Sequence, residues 1–280
     1  MLSFFKSAAL LATRFLRVGV ALYLLVILML LLLENWLIYP APRYPDGDWQ
    51  AERPPHEDVF FSAADGVKLH GWYCEHPAPK AVLLYCHGNG DSVGHLGPYL
   101  EQLIARHQVS IFAFDYRGYG RSEGRPGETG ILLDGEAAQA WLAQRAGKSP
   151  AELVLMGRSL GGGVAVHLAA KNGCQGLILQ STFTSVPEVA AFHYPWAPVR
   201  WLMKNRYNSL KKIKEYDGPL LQSHGSADEV VPISLGRQLH EAAIGRKEFF
   251  EVPSGDHNSA EPEEYEELFA KFLDSLSDRD

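Results

Sequence analysis

Cysteine is scarce in this 280-residue chain: Cys74, Cys86 and Cys174 are the whole set, with no C-x-x-C pair and no zinc-like Cys/His spacing. An odd, scattered set of this kind points to neither a disulfide framework nor a structural metal. The three read as small apolar core residues. Cys86, placed before His87 at the end of a strand-like run, is the one to weigh as a nucleophile, and no helix N-terminus or base beside it would lower its pKa. Positive charge is also short, with 26 Lys and Arg against 33 Asp and Glu for a net charge of −7. Nucleic-acid binding draws on clustered basic residues, so no nucleic-acid partner is expected. The glycine-rich stretch "FDYRGYGRSEG" (114–124) lacks Gly-Lys-Ser/Thr and lacks a G-x-G-x-x-G opening a helix, which removes the phosphate-cradle reading. Asp115, Arg117 and Ser122 are expected to lock that loop by hydrogen bonds. No internal repeat or low-complexity tract appears, and neither a cofactor nor a metal is expected.

What the chain does have is apolar content, 46% hydrophobic and 11% aromatic, enough for a sizeable core. Its first 39 residues differ in kind from the rest. Lys6, Arg14 and Arg17 precede sixteen uncharged residues from Val18 to Leu33, and Trp36, Leu37, Ile38 and Tyr39 extend the stretch past Glu34 with interfacial aromatics. A single transmembrane anchor spanning about 18–39 is the expectation. Its rivals are a cleaved signal peptide, which would need small residues in an A-x-A-like pattern after the apolar run, and a buried helix. Three basic residues before the span, against Arg43 and Arg53 after it, place the N-terminus in the cytoplasm and the bulk of the chain outside it. Residues 40–57, with five prolines, read as an extended linker.

From residue 58 to 280 the pattern is that of one α/β domain. "VFFSA" and "VKLHGWYC" flank Asp65-Gly66 as a hairpin, so the domain opens with antiparallel strands. Apolar runs follow at 81–86, 109–115, 153–157, 176–181, 219–225 and 248–252, as strands buried on both faces of a parallel sheet should read. Helix-length stretches lie between them at about 93–107, 129–146, 160–172, 232–244 and 262–276. This alternation gives a mostly parallel, doubly wound sheet with sites at the carboxyl ends of its strands. Residues 183–216 are too long and too rich in proline and aromatics for a plain crossover, so a cap insertion is expected there.

Gly157-Arg158-Ser159-Leu160-Gly161 is a G-x-S-x-G pentapeptide with a strand before it and a helix after it. The glycines leave room for a sharp turn that lifts Ser159 to a helix N-terminus, where partial positive charge favours a developing anion. A serine hydroxyl needs a base, and the base an orienting carboxylate. Asp228 in "SHGSADEVVP" and His257 in "PSGDHNS" each follow a strand, in the order Ser, acid, His. Glu229 and Asp256 are the competing acids. For the oxyanion, the N–H of Leu160 is one expected donor, and "CHGNGDS" supplies the other from Asn89, with Gly88 the alternative. His87 is expected to brace that loop.

Taken together, "HGNG" (87–90), "DYRGYGRSEG" (115–124), "GRSLGG" (157–162), "HGSADEVVP" (224–232) and "DHN" (256–258) resemble the alpha/beta-hydrolase superfamily. More narrowly, the chain is similar to its small, N-terminally membrane-anchored serine hydrolases. The resemblance extends to "NWLIYP" (35–40) and "STFTSVPEVA" (181–190). It implies a Ser159, Asp228, His257 triad and cofactor-free hydrolysis of esters, thioesters or amides. The cysteine-rich N-terminus of the depalmitoylating relatives is absent. An acyl ester, thioester or lipid-like substrate is the expectation, motivated by the anchor and the aromatic cap. Arg200, Lys204, Arg206, Lys211, Lys212 and Lys214 would either meet anionic headgroups or form a solvated basic face. A peptidase is the rival enzyme, and an idle membrane scaffold the rival of another class.

Overall fold

The helices that lead the chain part company at Leu33. In a computed structural model describing residues 2–52 and 54–277, α1 (Leu2–Leu32) gives way to a separate short helix, α2 (Glu34–Ile38). Thr13–Leu32 of α1 is long and apolar enough to cross a bilayer, and its side chains are exposed except where Ile27, Leu30 and Leu31 meet the cap. Its 20 residues, at about 1.5 Å each, match a hydrocarbon core of roughly 30 Å. The continuous helix ends at Leu32, short of the 18–39 expected for the anchor. Glu34 is the reason: a carboxylate is costly in hydrocarbon. Here it is buried against the folded domain and accepts from the amides of Lys204 (2.9 Å) and Asn205 (2.8 Å) and from Asn205 Nδ2 (2.8 Å). Tyr39 is buried as well, its hydroxyl donating to Asn205 Oδ1 at 2.8 Å and 3.1 Å from the hydroxyl of Tyr207.

The expected extended linker over 40–57 is likewise a packed strap. Gly120 N–H donates to Pro42 O (2.8 Å), Tyr44 N–H to Gly120 O (3.0 Å) and Asp48 N–H to Gly94 O (2.7 Å). Trp49 is buried edge-on to Trp72, with ring centres 6.1 Å apart, and its Nε1 donates to Asp46 O. Burial of so large a ring outweighs the chain freedom that prolines and charges would otherwise leave. Arg53, counted in the charge balance, lies outside the described residues, as does the side chain of Lys6.

The domain is built on β1 (Glu57–Ser62), β2 (Lys68–Cys74), β3 (Ala81–Cys86), β4 (Val109–Asp115), β5 (Val154–Arg158), β6 (Gly176–Gln180), β7 (Leu220–Gly225) and β8 (Lys247–Val252). They form one sheet in the order β1-β2-β4-β3-β5-β6-β7-β8. β1 and β2 pair antiparallel, as do β2 and β4, and the remaining neighbours are parallel. β3, β4, β6 and β7 are buried at every position, because helices cover both faces. α3 (Gly97–His107) and, at the C-terminal end, Glu263–Ser277 pack on one face; Glu128–Ala146, Leu160–Asn172 and Ile233–Ala242 pack on the other. In chain order the remaining helices are α4 (Glu128–Ala146), α5 (Leu160–Asn172), α6 (Val186–His193), α7 (Val199–Leu202), α8 (Ser209–Lys212), α9 (Ile233–Ala242) and α10 (Glu263–Ser277). The helix expected over 93–107 is split, a 3-10 turn at Val93–His95 preceding α3, which starts where Pro98 fixes φ in its first turn.

Between β6 and β7 the chain folds into α6, α7 and α8, within the expected cap segment. Ser185 caps α6 by accepting from Glu188 N–H, with Pro187 in the first turn. His193, the last residue of α6, donates Nε2–H to Val230 O at 2.9 Å, which joins the cap to the loop after β7.

Candidate active site

β5 ends and α5 begins within one residue, and Ser159 is that residue, at φ 50° and ψ −117°. A non-glycine residue at positive φ is strained by about 1–3 kcal/mol, so the surroundings must hold it. They do so through Ser159 N–H to Gln180 O (2.9 Å), Gly162 N–H to Ser159 O (3.0 Å) and Thr182 Oγ1–H to Ser159 O (2.8 Å). The flanking glycines are required sterically: a Cβ on Gly157 would strike the Gly161 carbonyl, and one on Gly161 the Cys86 carbonyl.

Three side chains distant in sequence meet at this turn. His257, on the loop after β8, has Nε2 3.0 Å from Ser159 Oγ and Nδ1 2.7 Å from Asp228 Oδ2. A carboxylate only accepts, so Nδ1 carries the proton and Nε2 is left to accept from the serine hydroxyl. Asp228, buried in the loop after β7, uses Oδ1 to accept from Val230 N–H (2.9 Å) and Val231 N–H (2.8 Å). Burial alone would raise its pKa. Hydrogen bonds from His224, His257 and the Val231 amide, with the charge of His257, outweigh that and hold it well below the ordinary carboxylate range. The competing acids are turned elsewhere. Asp256 is exposed and bonded within its own loop, to Asn258 N–H (2.8 Å) and Ser259 Oγ (2.9 Å), while Glu229 is exposed.

The loop after β3 runs beside the serine. A Cβ built on Gly88 would lie 3.8 Å from the Ser159 Cβ. Leu160 opens α5, so its amide is one of the helix's first N–H groups, which have no acceptor within the helix. Asn89 is exposed; its Oδ1 accepts from Tyr119 OH at 2.6 Å and its Nδ2 donates to Ile38 O. His87 is buried, donates Nδ1–H to Gly88 O (2.8 Å) and packs on Tyr116, and burial lowers its pKa. It is a brace for the loop, as expected. The 115–124 loop is locked as expected: Arg117 bonds to Asp134 and Asp65, and Ser122 Oγ–H donates to Asp115 O at 2.7 Å. Cys86 is fully buried, and burial pushes its thiol far above the usual range.

Sequence reasoning passed over three supports of this site. Arg158 donates to His257 O at 2.9 Å and steadies the histidine's loop. Ser223 Oγ–H donates to Glu261 Oε1 at 2.7 Å, pinning the same loop further on. Glu34 ties α2 to the cap through the bonds described above. Only Glu34 carried a visible signal, a charge interrupting an apolar run. Of the basic cap residues, Arg200 pairs with Glu188 at 2.9 Å and Arg206 bonds the carbonyls of Met203 and Arg200. Among the described residues no group of three or more His, Cys, Asp or Glu side chains is arranged to hold a metal ion.

Residues 77–215 match a family profile described as serine aminopeptidase, S33. The uncharacterized protein Rv2307c of Mycobacterium tuberculosis is 38% identical over 232 residues, which cover 81% of this chain and 82% of that one. The alpha/beta hydrolase domain-containing protein WAV2 of Arabidopsis thaliana is 30% identical over 226 residues, 72% of each chain. The chain belongs to the alpha/beta-hydrolase superfamily. Among solved structures, the alpha/beta-hydrolase fold seen here is shared with the Pyrococcus furiosus esterase Pf2001, at a TM-score of 0.66 and 19% identity over 79% of this chain and 91% of that one. At that identity the likeness speaks for the fold alone.

Proposed function

We propose that this alpha/beta hydrolase is a membrane-anchored serine hydrolase that cleaves acyl esters or thioesters through an acyl-enzyme. One observation carries the reading: Ser159 Oγ, the His257 ring and the buried Asp228 carboxylate form a continuous hydrogen-bonded chain, at 3.0 and 2.7 Å, on a strained strand-to-helix turn. Ser159 Oγ attacks the acyl carbon while His257 Nε2 takes its proton. The same nitrogen returns that proton to the departing alcohol or thiol. Asp228 fixes the Nδ1–H tautomer and stabilises the imidazolium without taking the proton. The amides of Leu160 and Asn89 hold the oxyanion, each such donor being worth about 3 kcal/mol in a preorganised site. Water, activated by His257, then frees the acid.

The tether is the Thr13–Leu32 segment of α1, with the N-terminus in the cytoplasm and the hydrolase domain outside it. A reporter fused to the C-terminus tests this; activity from a reporter that works only in the cytoplasm reverses the orientation.

A fluorophosphonate probe tests the chemistry. It labels the folded chain and not Ser159→Ala; absence of labelling in the folded wild type removes the enzyme reading and leaves an idle membrane scaffold. A peptidase reading is favoured by the description of the matched family profile. Comparing p-nitrophenyl esters with aminoacyl anilides separates the two, and cleavage of the anilides alone overturns the ester assignment.

A further inference from the structure

The end of the apolar helix does not stand free of the domain. The last turns of α1 and one face of α2 form one wall of a groove, and α6, α7 and the segment joining them form the other. Its volume is about 260 Å³, and its surface is apolar, with Leu30, Leu31 and Leu37 facing Ala190, Val199 and Leu202. Glu34 also lines it, but its side chain is buried and tied to the cap, Oε1 accepting from two Asn205 N–H groups and from Lys204 N–H, and Oε2 from the same Lys204 N–H at 3.2 Å. A space whose other lining residues are all uncharged, twelve of the thirteen, suits an alkyl chain better than a charged ligand.

Both walls are hydrogen-bonded to loops of the candidate active site. Ile38, at the inner end of α2, accepts from Asn89 Nδ2 through its carbonyl, and Asn89 follows Gly88 in the loop beside Ser159. His193, at the end of α6, bonds Val230 O, and Val230 N–H in turn donates to Asp228. At the outer end, Tyr23 of the spanning segment donates its hydroxyl to Trp196 O. Beside it Trp196 and Trp201 of the cap are 52% and 81% exposed, and Trp36 on α2 is 75% exposed, bare rings that a domain free in water would not maintain and that suit a lipid environment.

We propose that this groove is the binding site for the long acyl chain of a bilayer lipid ester, drawing it along α1 and α2 and presenting its carbonyl to Ser159. The proposal rests on the hydrolase reading above and adds to it the ligand's class, its route and the residues that select it. A wall made from the spanning helix is what distinguishes a lipid from a water-borne partner. A chain sliding from hydrocarbon into the groove leaves one apolar medium for another, whereas a route through water would expose every methylene. The groove is walled by thirteen residues over several turns of helix, so a long chain has far more apolar wall to cover than a butyryl chain does.

The test uses the full chain in phosphatidylcholine nanodiscs, with p-nitrophenyl butyrate and p-nitrophenyl palmitate as paired substrates. Ala190→Trp and, as a second plug on the other side of the cap, Met203→Trp fill the groove. The expected result is a fall on the order of tenfold or more in the palmitate-to-butyrate ratio of kcat/KM, through loss of palmitate turnover. Butyrate cleavage with an unchanged ratio in both variants overturns the groove and leaves the hydrolase reading intact. If the wild type cleaves neither ester, the hydrolase reading falls and the groove is read by a diazirine fatty acid in the same nanodiscs. Cross-links within 27–38 and 186–203 that disappear in Ala190→Trp support it; cross-links elsewhere, or unchanged by the plug, overturn it.

Discussion

Replacing Asp228 by Asn is the sharpest probe of how the site is wired. The wild-type carboxylate has two jobs on separate oxygens: Oδ1 accepts the amides of Val230 and Val231, and Oδ2 accepts Nδ1–H of His257 at 2.7 Å. In Asp228→Asn the amide oxygen keeps the two main-chain bonds, because an NH2 group cannot accept them. The side-chain nitrogen then faces His257 Nδ1 and can only donate. The ring answers by moving its proton to Nε2, which can no longer accept from Ser159. Reversal of this bond in a Ser-His-Asp triad costs about 10⁴ in kcat, or about 5.4 kcal/mol at 1.36 kcal/mol per decade. Burst and steady-state kinetics with a p-nitrophenyl ester measure it, and a fluorophosphonate label that forms far more slowly confirms that the serine has lost its base. A loss of under tenfold refutes the wiring. The same substitution has a pH signature. A carboxyl held below its unfolded value of about 3.9 stabilises the fold fully above that value and loses the contribution as pH falls toward the folded one. The stability advantage of wild type over Asp228→Asn therefore shrinks as pH drops below about 4, and an advantage that grows on acidification contradicts the assigned direction.

Two further outcomes test the surroundings. Glu34→Ala strips the acceptor from the part-buried amide of Lys204 and the buried amide of Asn205, which at about 1–3 kcal/mol each amounts to about 3 kcal/mol and a Tm lower by about 6–12 °C in a domain of this size. Glu34→Gln keeps an acceptor oxygen and loses less than half as much; equal Tm values for Glu34→Ala and wild type in detergent would show that the contact carries no stability. The cysteines are inert in the native chain, since burial pushes Cys74 and Cys174 up to about 12 and raises Cys86 as well. A thiol reagent at pH 8 reacts only after denaturation, and prompt release of colour from the folded chain would disprove that burial.

Local rules were legible in the residues themselves. The alternation of apolar runs and amphipathic stretches gave the parallel sheet with its antiparallel opening, because a strand covered on both faces has no position for a polar side chain. The glycines around Ser159 announced a tight turn, a constraint that is local for Gly157, whose Cβ would strike the Gly161 carbonyl four residues on, while Gly161 is held small by the Cys86 carbonyl on a neighbouring strand. The run through Glu34 and the proline-rich 40–57 segment misled for the opposite reason. Whether a carboxylate ends a span or a strap packs down depends on partners such as Asn205 and Trp72, which lie far along the chain.

What the sequence by itself determined is the backbone's course and the ends of the strands on which chemistry is carried, because periodicity and φ restrictions act between near neighbours. Only the tertiary structure decided which acid His257 meets, how the N-terminal apolar helix closes against the cap, and that a groove opens between them. Those outcomes depend on side chains far apart in the chain being brought within hydrogen-bond reach by the register of the sheet and the docking of the cap, as with Glu34 and Asn205, 171 positions apart, and no local pattern encodes that distance.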